Sequence, residues 1–109
     1  MTDPTEEGSI ESTLMWSGKN LTVRVSRDVD GVLHFSGHDF GGFADSDEYE
    51  YELTVDAGDV RRVVAALNPQ PGENVVTLLC RNAEMIIRTG EQKWLRSLGI
   101  DPGFWSHIG

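Results

Sequence analysis

The chain has 109 residues, of which 39% are hydrophobic, and a formal net charge of −9 at pH 7. This length and apolar content suffice for one packed domain, which buries roughly two thirds of the surface that the unfolded chain exposes. No run of about 18 consecutive apolar residues occurs, so the sequence predicts no membrane span. The acidic balance argues against binding to nucleic acid or anionic lipid.

The charge is unevenly distributed along the chain. Residues 1–59 carry fourteen acidic and three basic side chains, a net charge of −11, whereas residues 60–109 have a net charge of +2. Between Asp28 and Asp59 there are ten carboxylates, counting both ends, and no Lys or Arg. Such a concentration of negative charge either keeps a small protein in solution or attracts and steers a basic partner.

The first residues are strongly polar. Residues 1–11 are predicted to be a disordered leader, and residues 12–109 a single domain. The leader lacks the basic start and the apolar stretch of a secretory signal. Cys80 is the only cysteine and lies in an apolar run, which predicts a small buried side chain in a reducing compartment. We therefore expect a cytoplasmic protein.

The first third of the chain predicts a β-meander. Residues 14–16 form a short apolar run that favours an edge strand and ends at a turn over 17–20. Residues 21–27 alternate apolar and polar side chains, which is typical of a half-buried strand. The Asp-Val-Asp-Gly segment ending at Gly31 predicts a tight turn with a positive φ at the glycine, and residues 32–36 form the returning strand.

A glycine-rich and aspartate-rich segment over residues 37–47 predicts a long loop. Residues 48–55 show the strictest alternation in the chain and predict a strand. On that strand Tyr49, Tyr51, Leu53 and Val55 share one face, and Glu48, Glu50, Glu52 and Thr54 share the other.

The rest of the chain predicts helices. Asp56 is a candidate N-cap for a helix with apolar residues at i, i+3, i+4 and i+7 from Val60. A second helix is predicted over residues 73–85, although 75–80 alone also fits a buried strand. Thr89 begins a capping-box pattern for a third helix, and Asp101-Pro102 begins a final helical turn. In that last turn Phe104, Trp105 and Ile108 are expected to dock on the core.

This order predicts an α+β fold in which an antiparallel meander of three to four N-terminal strands is packed on one face by three to four C-terminal helices. The other face of the sheet is then open to solvent. We expect it to display the following side chains: Arg24, His34, Glu48, Glu50 and Glu52.

The acidic loop and strand are the predicted partner-binding site, made of Asp39, Asp45, Asp47, Glu48, Glu50 and Glu52. Carboxylates on a rigid strand meet Lys and Arg of a partner without first ordering a loop. The alternative interpretation is that the chain is a DNA-mimicking regulator that uses the same carboxylates. We expect no direct binding to nucleic acid.

No catalytic residue, metal site or cofactor is predicted. The segment that begins at Asp28 lacks the glutamate that a calcium loop needs at its twelfth position, and no histidine or cysteine pair has metal-binding spacing. A small hydrolase or metal-dependent enzyme that uses His38 and Asp39 is kept as a further alternative.

Three segments carry a resemblance: residues 47–51, the predicted helix over 60–67, and residues 100–106. They are similar to an uncharacterised family of small acidic actinobacterial proteins, over roughly residues 20–109. That family resembles the immunity proteins of bacterial toxin systems. The resemblance implies a non-catalytic cytoplasmic inhibitor whose partner is a toxin, and it transfers no catalytic residue.

Overall fold

The computed structural model describes residues 9–40 and 48–108, with side chains from residue 12 to residue 107 within these ranges. Five antiparallel strands form one sheet whose spatial order follows the chain. The strands are β1 (Ser9–Ser17), β2 (Leu21–Asp28), β3 (Leu33–Asp39), β4 (Tyr49–Val55) and β5 (Gly103–Ile108).

The helices lie between β4 and β5 in the chain and cover one face of the sheet. A 3-10 turn (Ala57–Asp59) leads into α1 (Val60–Ala66), followed by α2 (Val75–Arg81), α3 (Ala83–Thr89) and α4 (Glu91–Ser97). Among the described residues, no helix has the length and apolar character to cross a bilayer. The predicted α+β architecture, with N-terminal strands and C-terminal helices, is confirmed.

Strand alternation builds the core. Six inward residues of β2, β3 and β4 are at most 1% exposed, and they are Val23, Val25, Leu33, Phe35, Leu53 and Val55. They form one cluster with buried helical residues, including Val63, Leu78, Leu79, Ile86 and Leu95. Burial of each such side chain stabilises the fold by roughly 1.5–3 kcal/mol. Cys80 is half-buried against this cluster, with its Sγ 3.7 Å from the carbonyl oxygen of Leu14.

A close contact at Gly37 joins the sheet to the last helix. Gly37 on β3 is paired with Tyr51 on β4, and the tyrosine ring occupies the space that a Cβ at residue 37 would need. The Tyr51 hydroxyl donates a hydrogen bond to the carboxylate of Glu91 at the start of α4. Burial, together with the neighbouring charge of Glu91, raises the pKa of Tyr51 far above its ordinary value. Glu91 is itself only 9% exposed.

The C-terminal segment differs from the prediction. Residues 103–108 form an edge strand paired with β4, not a helical turn. Phe104 and Trp105 therefore point to opposite sides of the sheet, and they are 51% and 55% exposed. The aromatic and β-branched residues of this segment favour a strand. Pairing with β4 also gives its backbone more hydrogen bonds than a single helical turn would.

The loop predicted over residues 37–47 begins later than expected, after Asp39. Strand β3 continues through Asp39, because Gly37 and His38 complete its pairing with β4. Residues 41–47 lie outside the described part of the chain. The predicted leader over residues 1–11 overlaps β1, which begins at Ser9.

Two helices, α2 and α3, replace the single one expected over residues 73–85, and the strand alternative for 75–80 is wrong. The break falls at Asn82, whose side-chain amide donates to the carbonyl oxygen of Leu78. Such a local bond competes with continued helix. Asn74 caps the first of the two helices by accepting from the backbone N–H of Thr77.

Two predicted caps are also wrong. Asp56 makes no side-chain cap bond, because the 3-10 turn intervenes before α1. Thr89 is the last residue of α3 and not the N-cap of α4, a position that Gly90 takes with φ 97°. The turn at Gly31 is as predicted, with φ 86°.

The contact at Gly37 yields a stability prediction. Gly37→Ala should lower the free energy of unfolding by about 1–3 kcal/mol, because the new methyl group forces the Tyr51 ring out of its position. Urea denaturation measures the loss. Gly58→Ala is the matched control, since no atom lies within 4 Å of a Cβ there, and it should change stability by less than about 1 kcal/mol. Equal effects of the two substitutions would contradict this account of Gly37.

Candidate functional site

The sheet face opposite the helices, named here the open face, collects polar and aromatic side chains in registered rows. One row crosses β2 to β5 as Arg24, Ser36, Glu52 and Trp105. The next row is Thr22, His38, Glu50 and His107. Side chains that face each other across neighbouring strands lie roughly 4.5–5.5 Å apart at Cβ. The register therefore brings side chains from four strands into one surface.

The three glutamates of the predicted site share this face. The side chains of Glu48, Glu50 and Glu52 are 54%, 48% and 39% exposed. They come together because β4 alternates and because its other face holds the buried Leu53 and Val55. The alternation in the sequence predicts this placement.

The three aspartates of the predicted site are placed differently. Asp39 lies on the helix-facing side, beside a cavity of about 470 Å³ that Tyr49, Tyr51 and Phe104 also line. Asp45 and Asp47 lie outside the described residues. The candidate site is therefore built from the strand glutamates and their neighbours on β2, β3 and β5.

The imidazole of His38 lies close to the carboxylates of Glu48 and Glu50. Its Nε2 is 3.0 Å from Glu48 Oε1 and 3.9 Å from Glu50 Oε2. Its ring stacks on Phe40 with 4.2 Å between centroids. The sequence prediction placed His38 in a loop and missed this cluster. Extension of the β3 alternation by two more residues would have assigned it to the open face.

His38 and Asp39 lie on opposite sides of the sheet. They are consecutive residues of one strand, and such side chains point to opposite faces. His38 lies on the open face, whereas Asp39 lines the helix-facing cavity. The two residues named by the enzyme alternative therefore face different surfaces of the sheet.

His34 bridges two carboxylates on the same face. Its Nε2 lies 2.9 Å from Asp28 Oδ2, and its Nδ1 lies 2.8 Å from Glu52 Oε2. Burial by itself lowers the pKa of His34, but the hydrogen bonds and charges of Asp28 and Glu52 outweigh burial and raise the pKa above its ordinary value. Carboxylates only accept hydrogen bonds, so the imidazolium, which donates from both nitrogens, suits this position.

Two exposed aromatic rings lie beside the carboxylates of the open face. Trp105 is 55% and Phe40 47% exposed. A shallow cavity of about 420 Å³ lies among them, and its walls include Arg24, Glu50 and Glu52. The open face thus combines negative charge with accessible aromatic surface.

The arginines of the helices do not neutralise this face. Arg62, Arg81 and Arg88 pair with Asp59, Glu73 and Glu84, which lie outside the sheet. On the sheet, the Arg24 guanidinium donates to the hydroxyl and carbonyl oxygens of Ser12. Among the described residues, the ion pairs of Glu48, Glu50 and Glu52 are with histidines.

Comparisons with family models, curated proteins and solved structures give no match. The resemblance to immunity proteins therefore stays a prediction.

The Asp28–His34–Glu52 bridge predicts a pH-dependent contribution to stability. Because the folded pKa of His34 lies above the value of about 6.5 in an unfolded chain, the contribution is complete below that pH and is lost as pH rises through the folded pKa. Urea unfolding at about pH 5.5 and about pH 8.5 should show a larger loss for the wild type than for His34→Gln. The variant retains the other two histidines, His38 and His107. Equal losses would show that the bridge does not stabilise the fold.

Proposed function

We propose that the chain is a non-catalytic protein-binding module that binds a basic partner protein through the open face. The observation that carries the proposal is that the helices cover one face of the sheet, while the other gathers Glu48, Glu50 and Glu52 beside exposed Trp105. Rigid strands hold these groups, so binding requires little ordering of the chain.

Lys or Arg side chains of the partner are the ligands that suit this surface. Glu52 and Trp105 are directly opposite each other on β4 and β5, and both line the 420 Å³ cavity with Glu50. A cation seated there contacts carboxylates and the face of an indole, whose cation–π attraction is worth about 0.5–2 kcal/mol. Tryptophan is also enriched among the residues that dominate binding energy at interfaces.

Within the described ranges, histidines, and not arginines or lysines, are the internal ion-pair partners of the glutamates on the open face. Glu48 and Glu50 face an imidazole of His38 and not a guanidinium. A neutral imidazole is a weaker partner for a carboxylate than a permanently charged Arg or Lys. A basic protein therefore displaces the internal contact at low cost.

The resemblance to immunity proteins narrows the proposal. An inhibitor of this kind acts in the cytoplasm and covers the active surface of a toxin. Clefts that act on nucleic acid are lined with Lys and Arg, which is the charge that the open face complements. The acidic strand then serves as the contact surface, and its function needs no catalytic group.

A charge reversal on the open face tests the proposal. Glu50→Lys should weaken binding to a Lys- and Arg-rich peptide by at least about tenfold, since a truncated or reversed charge pair at an interface costs about 2–5 kcal/mol. Glu84→Lys on α3 makes the same change of charge on the helical side and should leave binding nearly unchanged. Fluorescence anisotropy at low and at high salt measures both affinities.

Two further readouts complete the experiment. Amide chemical shifts during the peptide titration should move on β4 and β5 and not on α2 or α3. Any protein retained by the wild type from cell extract should be lost with Glu50→Lys and kept with Glu84→Lys. Equal binding by the two variants, or shifts confined to the helices, would contradict the open face as the binding surface.

A further inference from the structure

We propose that His38, Glu48 and Glu50 form a binding site for a divalent transition-metal ion, with Zn²⁺ as its probe. One ligand atom from each residue lies within 4.8 Å of the other two. This site shares His38 and Glu50 with the cavity beside Trp105, but ion binding requires no partner.

The distances among the three groups fit an ion after small side-chain movements. Zn–N and Zn–O bonds of about 2.0–2.2 Å place neighbouring tetrahedral ligands about 3.3–3.5 Å apart. The His38 Nε2 atom lies 3.0 Å from Glu48 Oε1 and 3.9 Å from Glu50 Oε2. All three ligand atoms lie within 4.8 Å of one another, and both glutamates are exposed, so their carboxylates can close around an ion without disturbing the core.

The chemistry of the ligand set selects the class of ion. Imidazole nitrogen is a ligand for zinc, copper, nickel and iron, whereas calcium and magnesium prefer sets made wholly of oxygen. Two carboxylates with one neutral imidazole carry a charge of about −2, which matches a divalent ion. Three protein ligands leave a coordination position for water.

The fold holds the three groups in place before an ion arrives. His38 and Glu50 are directly opposite each other on β3 and β4, and Glu48 precedes Glu50 by two residues. Stacking on Phe40 fixes the plane of the His38 ring and leaves its Nε2 toward the carboxylates. A site formed by neighbouring strands of a sheet loses little conformational entropy on binding.

The negative charge at this point is poorly compensated in the protein itself. In the described part of the chain, the ion pairs of Glu48 and Glu50 both go to His38, and no Lys or Arg takes part in them. When His38 is neutral, the two carboxylates repel each other across the cluster. A bound cation attracts both carboxylates and offsets that repulsion, and this attraction drives the proposed binding.

Isothermal titration of the full chain with Zn²⁺, after dialysis against a chelator and at a pH above 7, tests the site. We expect saturable binding of one equivalent. His38→Ala and, separately, Glu50→Gln should each lower the association constant by at least about tenfold, because even outer-shell substitutions cost about 10–100-fold. The Nε2 resonance of His38 should shift on binding, and an excess of Mg²⁺ should not displace Zn²⁺.

His34→Gln is the matched control. It removes a histidine from the same face, but His34 is held between Asp28 and Glu52 and contributes no atom to the cluster. Zinc affinity should therefore stay unchanged, and circular dichroism should show every variant folded. Absence of saturable heat would overturn the proposal. So would equal affinities of the wild type, His38→Ala and Glu50→Gln, which would indicate an adventitious ion only.

Discussion

The alternation of side chains along β4, combined with helices on one side only, is the constraint on which the rest of the structure depends. Leu53 and Val55 are at most 1% exposed on one face, and Glu50 and Glu52 occupy the other. A shift of register by one residue would bury both carboxylates and expose both apolar side chains. Each buried and unpaired carboxylate costs several kcal/mol, so the core fixes the geometry of the open face.

A row of three like charges is tolerated because the row is exposed. Successive glutamates on one strand face are about 6.7 Å apart at Cα, and two unit charges at that separation in water repel by about 0.6 kcal/mol. That cost is small beside the burial of the inward residues of the same strand. His34 and His38 on β3 reduce it further by standing beside Glu52 and Glu50. The acidic row therefore persists without a permanent countercharge from the helices.

The elements with clear local periodicity could be predicted from the sequence. The elements that depend on pairing between distant segments could not. The alternation of residues 48–55 and the helical spacing from Val60 predicted β4, α1 and the face of each glutamate. Strand β5 was missed, because Asp101-Pro102 is a local helix signal whereas pairing with β4 is a contact across about half the chain. His38 was missed for a related reason. A glycine is typical of a loop, but at residue 37 the missing side chain leaves space within the strand for the Tyr51 ring.

The histidines set how much negative charge the open face presents. Asp28, Glu48, Glu50, Glu52 and Arg24 together carry a charge of −3 when His34 and His38 are neutral, and −1 when both are protonated. A divalent ion at His38, Glu48 and Glu50 also brings the face to −1, but it leaves Glu52 and Trp105 unchanged. Protonation and the proposed metal binding thus act on overlapping carboxylates, and the proposed basic partner would compete with both of them for Glu50. The negative charge that the face presents therefore depends on the charge of the imidazoles that the β3 register places beside the acidic strand.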